Sequence, residues 1–586
     1  MIRIFRHLRT KDWCFVIFSV LFIVAQVWLD LRLPEYMTEI TELVQTEGSA
    51  MADIYSAGGK MLLCALGSLV TSVIVGFFAA QVAANLSRRL RREIFDKVES
   101  FSMEEISNFS TDSLITRSTN DITQIEMIVA MGLQLIVKAP IMAVMAIVKI
   151  QDKGTWQWSA LTACAVVLLV STILVIMLYA VPKFKRIQGL TDNLNRVSRE
   201  NLTGLRVVRA YNAEAYQEEK FDKANEELTE THLKAQRAMQ VMNPMMSLVM
   251  NGITLGIYWI GAYLIDAAGA LDKLPLFSNM VVFSSYAMQV IMAFTMLTMI
   301  FIMLPRAAVS AKRIEEVLGT KPAILDGSAS GETALRGEVE FRHVSFRYPD
   351  ADEYVLHDIS FTAHKGETVA FIGATGSGKS TIVNLVARFY DATEGEVLVD
   401  GVNVKDYRLH DLYNKLGYVP QRAVLFSGTV KSNVAFGENG KPPAEDEEIQ
   451  AAVRTAQSAD FVEKLEGGYD GAVAQGGANF SGGQKQRLSI ARAICRRPEI
   501  YIFDDSFSAL DYKTDRVLRS ALKKETAGVT SLIVAQRIGT IKDADRIVVV
   551  DEGRAVGIGT HDELMASCEV YREIALSQLS KEELGA

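Results

Sequence analysis

Cysteine, histidine and positive charge are all scarce in this chain of 586 residues, and each scarcity excludes a class of function. The five cysteines, Cys14, Cys64, Cys164, Cys495 and Cys568, lie far apart, with no CxxC spacing and no histidine cluster beside them. That argues against a disulfide framework or a thiolate metal site, and reads as buried structural thiols in a reducing compartment. Net charge is −8 at pH 7 and the pI is near 5.6, so no global basic field attracts nucleic acid, and no nucleic-acid module is visible. Charged residues are only 22% of the chain against 49% hydrophobic ones, which excludes a disordered polymer and is too apolar for a wholly soluble enzyme. The length implies two or more domains.

Apolar residues are concentrated at one end. Of 22 methionines, all but Met565 precede residue 304, and the long apolar runs stop there too. Six runs, near 13–34, 58–85, 126–150, 157–181, 241–268 and 277–304, are long enough to cross a membrane; a hydrocarbon layer of ~30 Å takes about 20 helical residues. The first follows Arg3, Arg6, Arg9 and Lys11 but is too long for a signal peptide, and Asp30-Leu-Arg-Leu-Pro34 is no small-residue cleavage site. Basic residues cluster at the N-terminus, at Arg88–Arg92, at Lys183–Arg186 and at Arg306–Arg313, whereas Glu35, Glu39, Glu42 and Asp53 follow the first run. The positive-inside rule then puts both termini in the cytoplasm of a multi-pass protein, with a bacterial inner (cell) membrane as the default setting.

The segments 86–125 and 182–240 are long, charged and almost free of Gly and Pro. They are expected to continue the membrane helices into the cytoplasm, to end in short turns near Met103–Phe109 and Arg209–Tyr216, and to act as levers on the C-terminal domain. Lys138 sits mid-span, two residues before Pro140. A cation there costs ~2.5 kcal/mol or more unless it meets a cavity or a partner, so it is a candidate for the substrate pathway or for pairing within the bundle. Lys149 and Asp266 lie near span ends, where snorkelling suffices.

From about residue 335 the pattern changes to short β-rich runs between glycine turns. Thr368–Gly373 reads as a buried strand, Gly373-Ala-Thr-Gly-Ser-Gly-Lys-Ser380 as a phosphate-binding loop (Walker A), and the residues from Thr381 as a helix. Gly373, Gly376 and Gly378, with Thr375 and Ser377 between them, let the backbone wrap an anion. Lys379 reaches phosphate oxygens and Ser380 is a Mg²⁺ ligand. A second strand, Glu499–Phe503, runs into Asp504 and Asp505, the Walker B arrangement in which Asp504 holds Mg²⁺. Between them stands Ser481-Gly-Gly-Gln484.

With that signature the chain resembles an ATP-binding cassette (ABC) half-transporter of the exporter type over residues 1–580. The resemblance implies an α-helical six-span domain (1–320), a linker (321–334) and an α/β P-loop cassette (335–580), with ATP and Mg²⁺ as ligands. It implies that Tyr348, placed on the strand upstream of Walker A, stacks on adenine and that Thr381 lies in the nucleotide site. It further implies that Gln421 meets Mg²⁺, that Ser508–Asp511 is the D-loop, and that Ser481, Gly482, Gly483 and Gln484 complete the ATP site of a second cassette.

Two positions depart from the family pattern. Asp505 stands where the catalytic base is normally Glu, and Gln536 where the switch residue is His. Phe480 for the usual Leu is mild, whereas Gln475-Gly476-Gly477 replaces a Glu-Arg-Gly stretch. The pattern implies the degenerate-site subunit of a heterodimeric exporter of amphipathic drugs, lipids or peptides, whose partner carries the missing Glu and His. A slow homodimeric exporter, an importer built on the exporter fold and a non-transporting ATP sensor are the alternatives.

Overall fold

The computed structural model describes residues 2–46, 49–153, 155–269 and 272–578, so the expected cassette end at residue 580 lies outside the described residues. The chain divides into two units, one of Met1–Glu99 with Thr111–Thr320, the other of Ser100–Ser110 with Lys321–Ala586.

The helices of the N-terminal half are α1 (Thr10–Gln45), α2 (Met51–Glu99), α3 (Met103–Phe109), α4 (Thr111–Ser118), α5 (Asn120–Lys153), α6 (Trp156–Thr203), α7 (Leu205–Ala210), α8 (Glu214–Gln240), α9 (Met242–Ala267) and α10 (Lys273–Gly319). Among the described residues six helical stretches are long and apolar enough to cross a membrane, with mean hydropathy from 1.6 to 2.8. In the first unit α1 lies along α2, and α5 packs on α10 and α2. The core between them holds Ile23, Val27, Leu31, Phe283 and Tyr286, with Trp158 against Phe283 at 5.4 Å between ring centroids.

The outer surface is as apolar as the core. Leu62, Leu63, Leu69, Val73 and Phe77 of α2, Val167, Val175 and Leu178 of α6, and Leu255, Trp259 and Tyr263 of α9 are all exposed. A face of that size has no place in water, and lipid is the solvent that suits it. The same reason accounts for the thiols. Cys495 and Cys568 are buried as expected, but Cys14 and Cys164 are exposed and Cys64 is half-buried, because these three sit on apolar spans.

Two sequence expectations, a turn at Met103–Phe109 and a snorkelling Lys149, need correction here. Met103–Phe109 is a helix, not a turn: the Ser102 amide and hydroxyl both donate to Glu105 Oε2 at 2.7 Å, a capping box that starts α3. The turn expected near Arg209–Tyr216 is present, at residues 211–213 between α7 and α8. Both lysines of the third span are paired. Lys138 Nζ lies 3.2 Å from Asp30, and Lys149, expected to snorkel, binds Glu35 at 2.7 Å instead. The two lysines are eleven residues apart, three helical turns, so both face α1.

The second unit is built on two sheets. Strands β1 (Val339–Phe346), β2 (Leu356–Ala363), β4 (Glu394–Val399) and β5 (Val402–Asn403) form an antiparallel sheet in the order β2-β1-β4-β5. Strands β3 (Thr368–Ile372), β6 (Leu416–Val419), β9 (Ile500–Asp504), β10 (Thr530–Val534), β11 (Arg546–Asp551) and β12 (Arg554–Gly559) form the second, ordered β12-β11-β3-β10-β9-β6. β7 (Gly428–Thr429) and β8 (Ala472–Val473), far apart in sequence, pair as a small antiparallel two-stranded sheet. Every residue of β9 is buried, and β3 is buried from Val369 to Ile372, which is why these runs read as continuously apolar rather than alternating.

A buried ion cluster ties the two sheets. Lys415, the last helical residue before β6, donates to Asp400 at 2.7 Å and to Glu499 at 2.9 Å, and the Asp400 side chain has no solvent exposure. The Glu338 amide also donates to Asp400, at 2.9 Å.

Candidate functional site

Strand order, rather than sequence distance, assembles the site. β3, β10, β9 and β6 are parallel neighbours, with Val534 opposite both Phe371 and Asp504, and Val419 opposite Phe503. The loops that leave their C-terminal ends therefore emerge along one edge, the place where open α/β sheets bind ligands. Those loops carry Gly373–Gly378, Gln536, Asp505 and Gln421 respectively.

The loop after β3 needs glycine at three points, the first being Gly373, where a Cβ would collide with the Val550 carbonyl oxygen. Gly376 has φ +86° and Gly378 has φ +99°, and a Cβ on Gly378 would meet Leu356 Cδ2 at 2.6 Å. Thr375 and Gly376 are exposed and Ser377 is buried. The helix Lys379–Val386 starts at once, so its unpaired first N–H groups open onto the loop. Lys379 is buried, and its Nζ donates to the carbonyls of Gly373 (2.9 Å) and Ala374 (2.6 Å). Burial pushes its ammonium pKa down, against the opposing pull of Asp505 and Asp504. Phosphate oxygens are stronger acceptors than these neutral carbonyls, so the lysine can exchange them.

Ser380 Oγ donates to Asp504 Oδ1 at 2.6 Å, and burial raises the Asp504 carboxyl above its usual range while that bond pulls it down. A hydroxyl and a carboxylate in contact form a hard-oxygen pair that fits Mg²⁺, with the Gln421 amide oxygen as a further donor. Mg²⁺ bound there would neutralise charge on phosphate oxygens.

Asp505 is the most constrained residue of the edge. It has φ +44°, its N–H donates to Val534 O at 3.0 Å, and the Ser508 hydroxyl donates to its carbonyl at 2.9 Å. Its carboxylate Oδ2 accepts from Gln536 Nε2 at 3.0 Å and from Gln421 Nε2 at 3.3 Å. Burial raises its pKa, opposed by the bonds from Gln421 and Ser508. The sequence-predicted base, switch and Q-loop positions thus converge on one oxygen.

Tyr348 lies in the loop two residues beyond β1 rather than on a strand. Its hydroxyl is 3.1 Å from Thr381 Oγ1, and its ring meets Tyr390 edge-on at 5.1 Å. Ser481 caps the helix Gly482–Cys495, accepting from the Gln484 amide at 3.3 Å while Gln484 Oε1 takes the Ser481 N–H at 2.9 Å. Ser481 and Gly482 are exposed and Gly483 and Gln484 half-buried, and among the described contacts none joins them to Lys379 or Asp504.

One positioning residue escaped the sequence reading. Gln578 accepts from the Ile538 amide at 2.9 Å and donates to the Gln536 carbonyl at 2.8 Å, bracing the switch loop from the C-terminal helix. No motif marks it.

The chain is similar to known proteins along most of its length. The family described as the ABC transporter transmembrane region matches residues 16–294, and that described as ABC transporter matches residues 356–508. An uncharacterized ABC transporter ATP-binding protein of Mycobacterium tuberculosis is 40% identical over 559 residues, 94% of this chain and 93% of the relative. The ATP-dependent lipid A-core flippase of Pseudomonas aeruginosa is 32% identical over 525 residues, covering 89% and 85%. A bacterial Atm1-family ABC exporter solved with ATP bound superposes with a TM-score of 0.80 at 26% identity, covering 97% of this chain and all of that one.

Proposed function

The chain belongs to the ABC transporters, as an ATP-hydrolysing half-transporter with six membrane helices fused to its cassette, and from that premise we propose that it is the degenerate-site subunit of a heterodimeric exporter of amphipathic molecules. The observation that carries the reading is the pairing of Asp505 with two neutral amides. A catalytic carboxylate must accept a proton from, or orient, the attacking water. Asp505 is one methylene shorter than Glu, and both amide donors, Gln421 and Gln536, use its Oδ2. Gln536 offers no titratable group and no cation beside the γ-phosphate.

In this mechanism Lys379 and the glycine loop would grip the phosphates, Tyr348 would stack on the adenine, and Ser380 and Asp504 would hold Mg²⁺. The chain's Walker residues keep ATP bound and turn it over slowly. Its intact Ser481-Gly-Gly-Gln484 completes the competent site of the partner, which supplies the catalytic Glu and the switch His. Closing and reopening of the cassettes alternates access to the membrane cavity, through the differential affinity of ATP for the closed state. Both termini lie in the cytoplasm, the setting is a bacterial inner membrane, and the flippase relative makes lipid amphiphiles reasonable cargo.

Intact-mass measurement of the gently purified complex is expected to give this chain and a second, different polypeptide at one-to-one stoichiometry. Two copies of this chain alone would overturn the heterodimer and favour a slow homodimeric pump. Lys379→Ala is expected to weaken ATP binding at this site by about 10- to 100-fold, the worth of its charge-assisted bonds, while part of the transport survives. Loss of turnover as complete as that from the partner's equivalent lysine would contradict the asymmetry.

A further inference from the structure

We propose that Lys138 is the docking point for the anionic headgroup of a transported amphiphile, and that Asp30 is the resident counter-anion it leaves to do so. The inference rests on the exporter reading above. Lys138 lies at the centre of the apolar run 126–150 on α5 and Asp30 within the run 13–34 on α1. Lys138 is thus mid-run, with twelve residues on either side, while Asp30 lies four residues before the end of its own run, so the pair sits within the spans. An ionised pair at that depth is costly and marks function by default.

The neighbouring pair shows what a structural clasp looks like in this bundle. Glu35 is gripped by Arg32 at 2.6 Å and Lys149 at 2.7 Å, with the Tyr286 hydroxyl at 3.4 Å. Lys138 has instead a single 3.2 Å approach to Asp30, and 20% and 24% of the two side chains remain exposed. Its ammonium carries three donors, and among the described residues Asp30 is its one partner.

The two halves of the pair are not equivalent, and that decides the sign of the ligand. Asp30 Oδ1 also accepts the hydroxyl of Ser68 on α2, so Asp30 keeps a hydrogen bond when Lys138 leaves. A cation arriving at Asp30 would strand Lys138 with no second acceptor. An anion arriving at Lys138 still costs Asp30 its cation, but leaves it the Ser68 hydroxyl, so this exchange is the less costly of the two. The class that fits is an amphiphile with an anionic headgroup, a phosphate monoester or a carboxylate.

The test is equilibrium binding to the full transporter complex in phosphatidylcholine nanodiscs. The probes are a fluorescent lysophosphatidate, a fluorescent fatty acid of equal chain length, and a fluorescent lysophosphatidylcholine as zwitterionic control. Lys138→Met is expected to weaken an anionic probe about tenfold or more and to leave the control unchanged. Asp30→Asn, which removes the competing charge and keeps an acceptor for Ser68, is expected to tighten it severalfold. Response of both anionic probes supports a shared anion site, and response of one alone supports it and names the headgroup. Equal losses in both variants mean a structural pair and overturn the proposal, as does no change in either. If Lys138→Met fails to assemble, the sign of the Asp30→Asn effect alone decides. The exporter reading is judged separately, by ATP-dependent vectorial transport in inverted vesicles.

Discussion

Replacing Asp505 by Glu and Gln536 by His together raises ATP turnover at this chain's own site by roughly 10²-fold or more, because well-placed acid–base help is worth 10²–10⁴-fold. The measurement is phosphate release from the complex with the partner's Walker lysine replaced, so that only this site can turn over. Glu adds the methylene that Asp505 lacks, and His restores a group able to carry charge near the γ-phosphate. The surroundings already suit both, since the backbone of residue 505 is fixed by Val534 and Ser508, and the switch loop is braced by Gln578. Each single replacement is expected to recover much less than the pair, because base and switch act on one water and such groups are strongly non-additive. Unchanged turnover with ATP binding intact would mean that the impairment lies elsewhere, and the degenerate-site proposal would fall.

Lys415→Met lowers the stability of the cassette by about 3–5 kcal/mol, the usual cost of leaving a buried charge without its partner. Asp400 has no exposed side-chain surface and, without Lys415, keeps only the Glu338 amide at 2.9 Å and the Thr333 hydroxyl at 3.3 Å. Adding Asp400→Asn to Lys415→Met should recover part of the loss, which separates electrostatics from lost packing. Burial by itself would lower the Lys415 pKa, but its hydrogen bonds to Asp400 and Glu499 overcome that and raise it. The stabilisation is therefore fully present below the unfolded lysine pKa, about 10.4, and fades only as pH climbs through the higher folded value. Chemical denaturation of the full transporter, followed by a probe in the cassette at neutral and at strongly alkaline pH, checks both statements. A wild-type advantage over the variant that persisted above the folded pKa would contradict the assignment.

Much of this protein was legible in local patterns. The six apolar runs, the glycine loop ahead of Lys379 and the apolar strand ahead of Asp504 are short-range signals, since span length, phosphate wrapping and a buried strand each constrain consecutive residues. The α3 helix was equally legible from Ser102 and Glu105, a capping box overlooked in favour of a turn. Cys14 and Cys164 were misjudged because burial was assumed to mean protein, whereas on a membrane span it means lipid.

The sequence by itself determined the family, the two-part architecture, the nucleotide motifs and the departures at Asp505 and Gln536, all of which are matters of residue identity at fixed spacing. The tertiary structure alone decided that Asp505 Oδ2 receives both Gln421 and Gln536, that Gln578 braces the switch, and that Lys138 finds Asp30 and Lys149 finds Glu35. The physical reason is common to all of them. Gln421 and Asp505 are separated by 84 residues, and Lys138 and Asp30 by more than a hundred. Contacts at such separations depend on strand order and helix packing, which side chains throughout each unit fix together, so no local window of residues contains them.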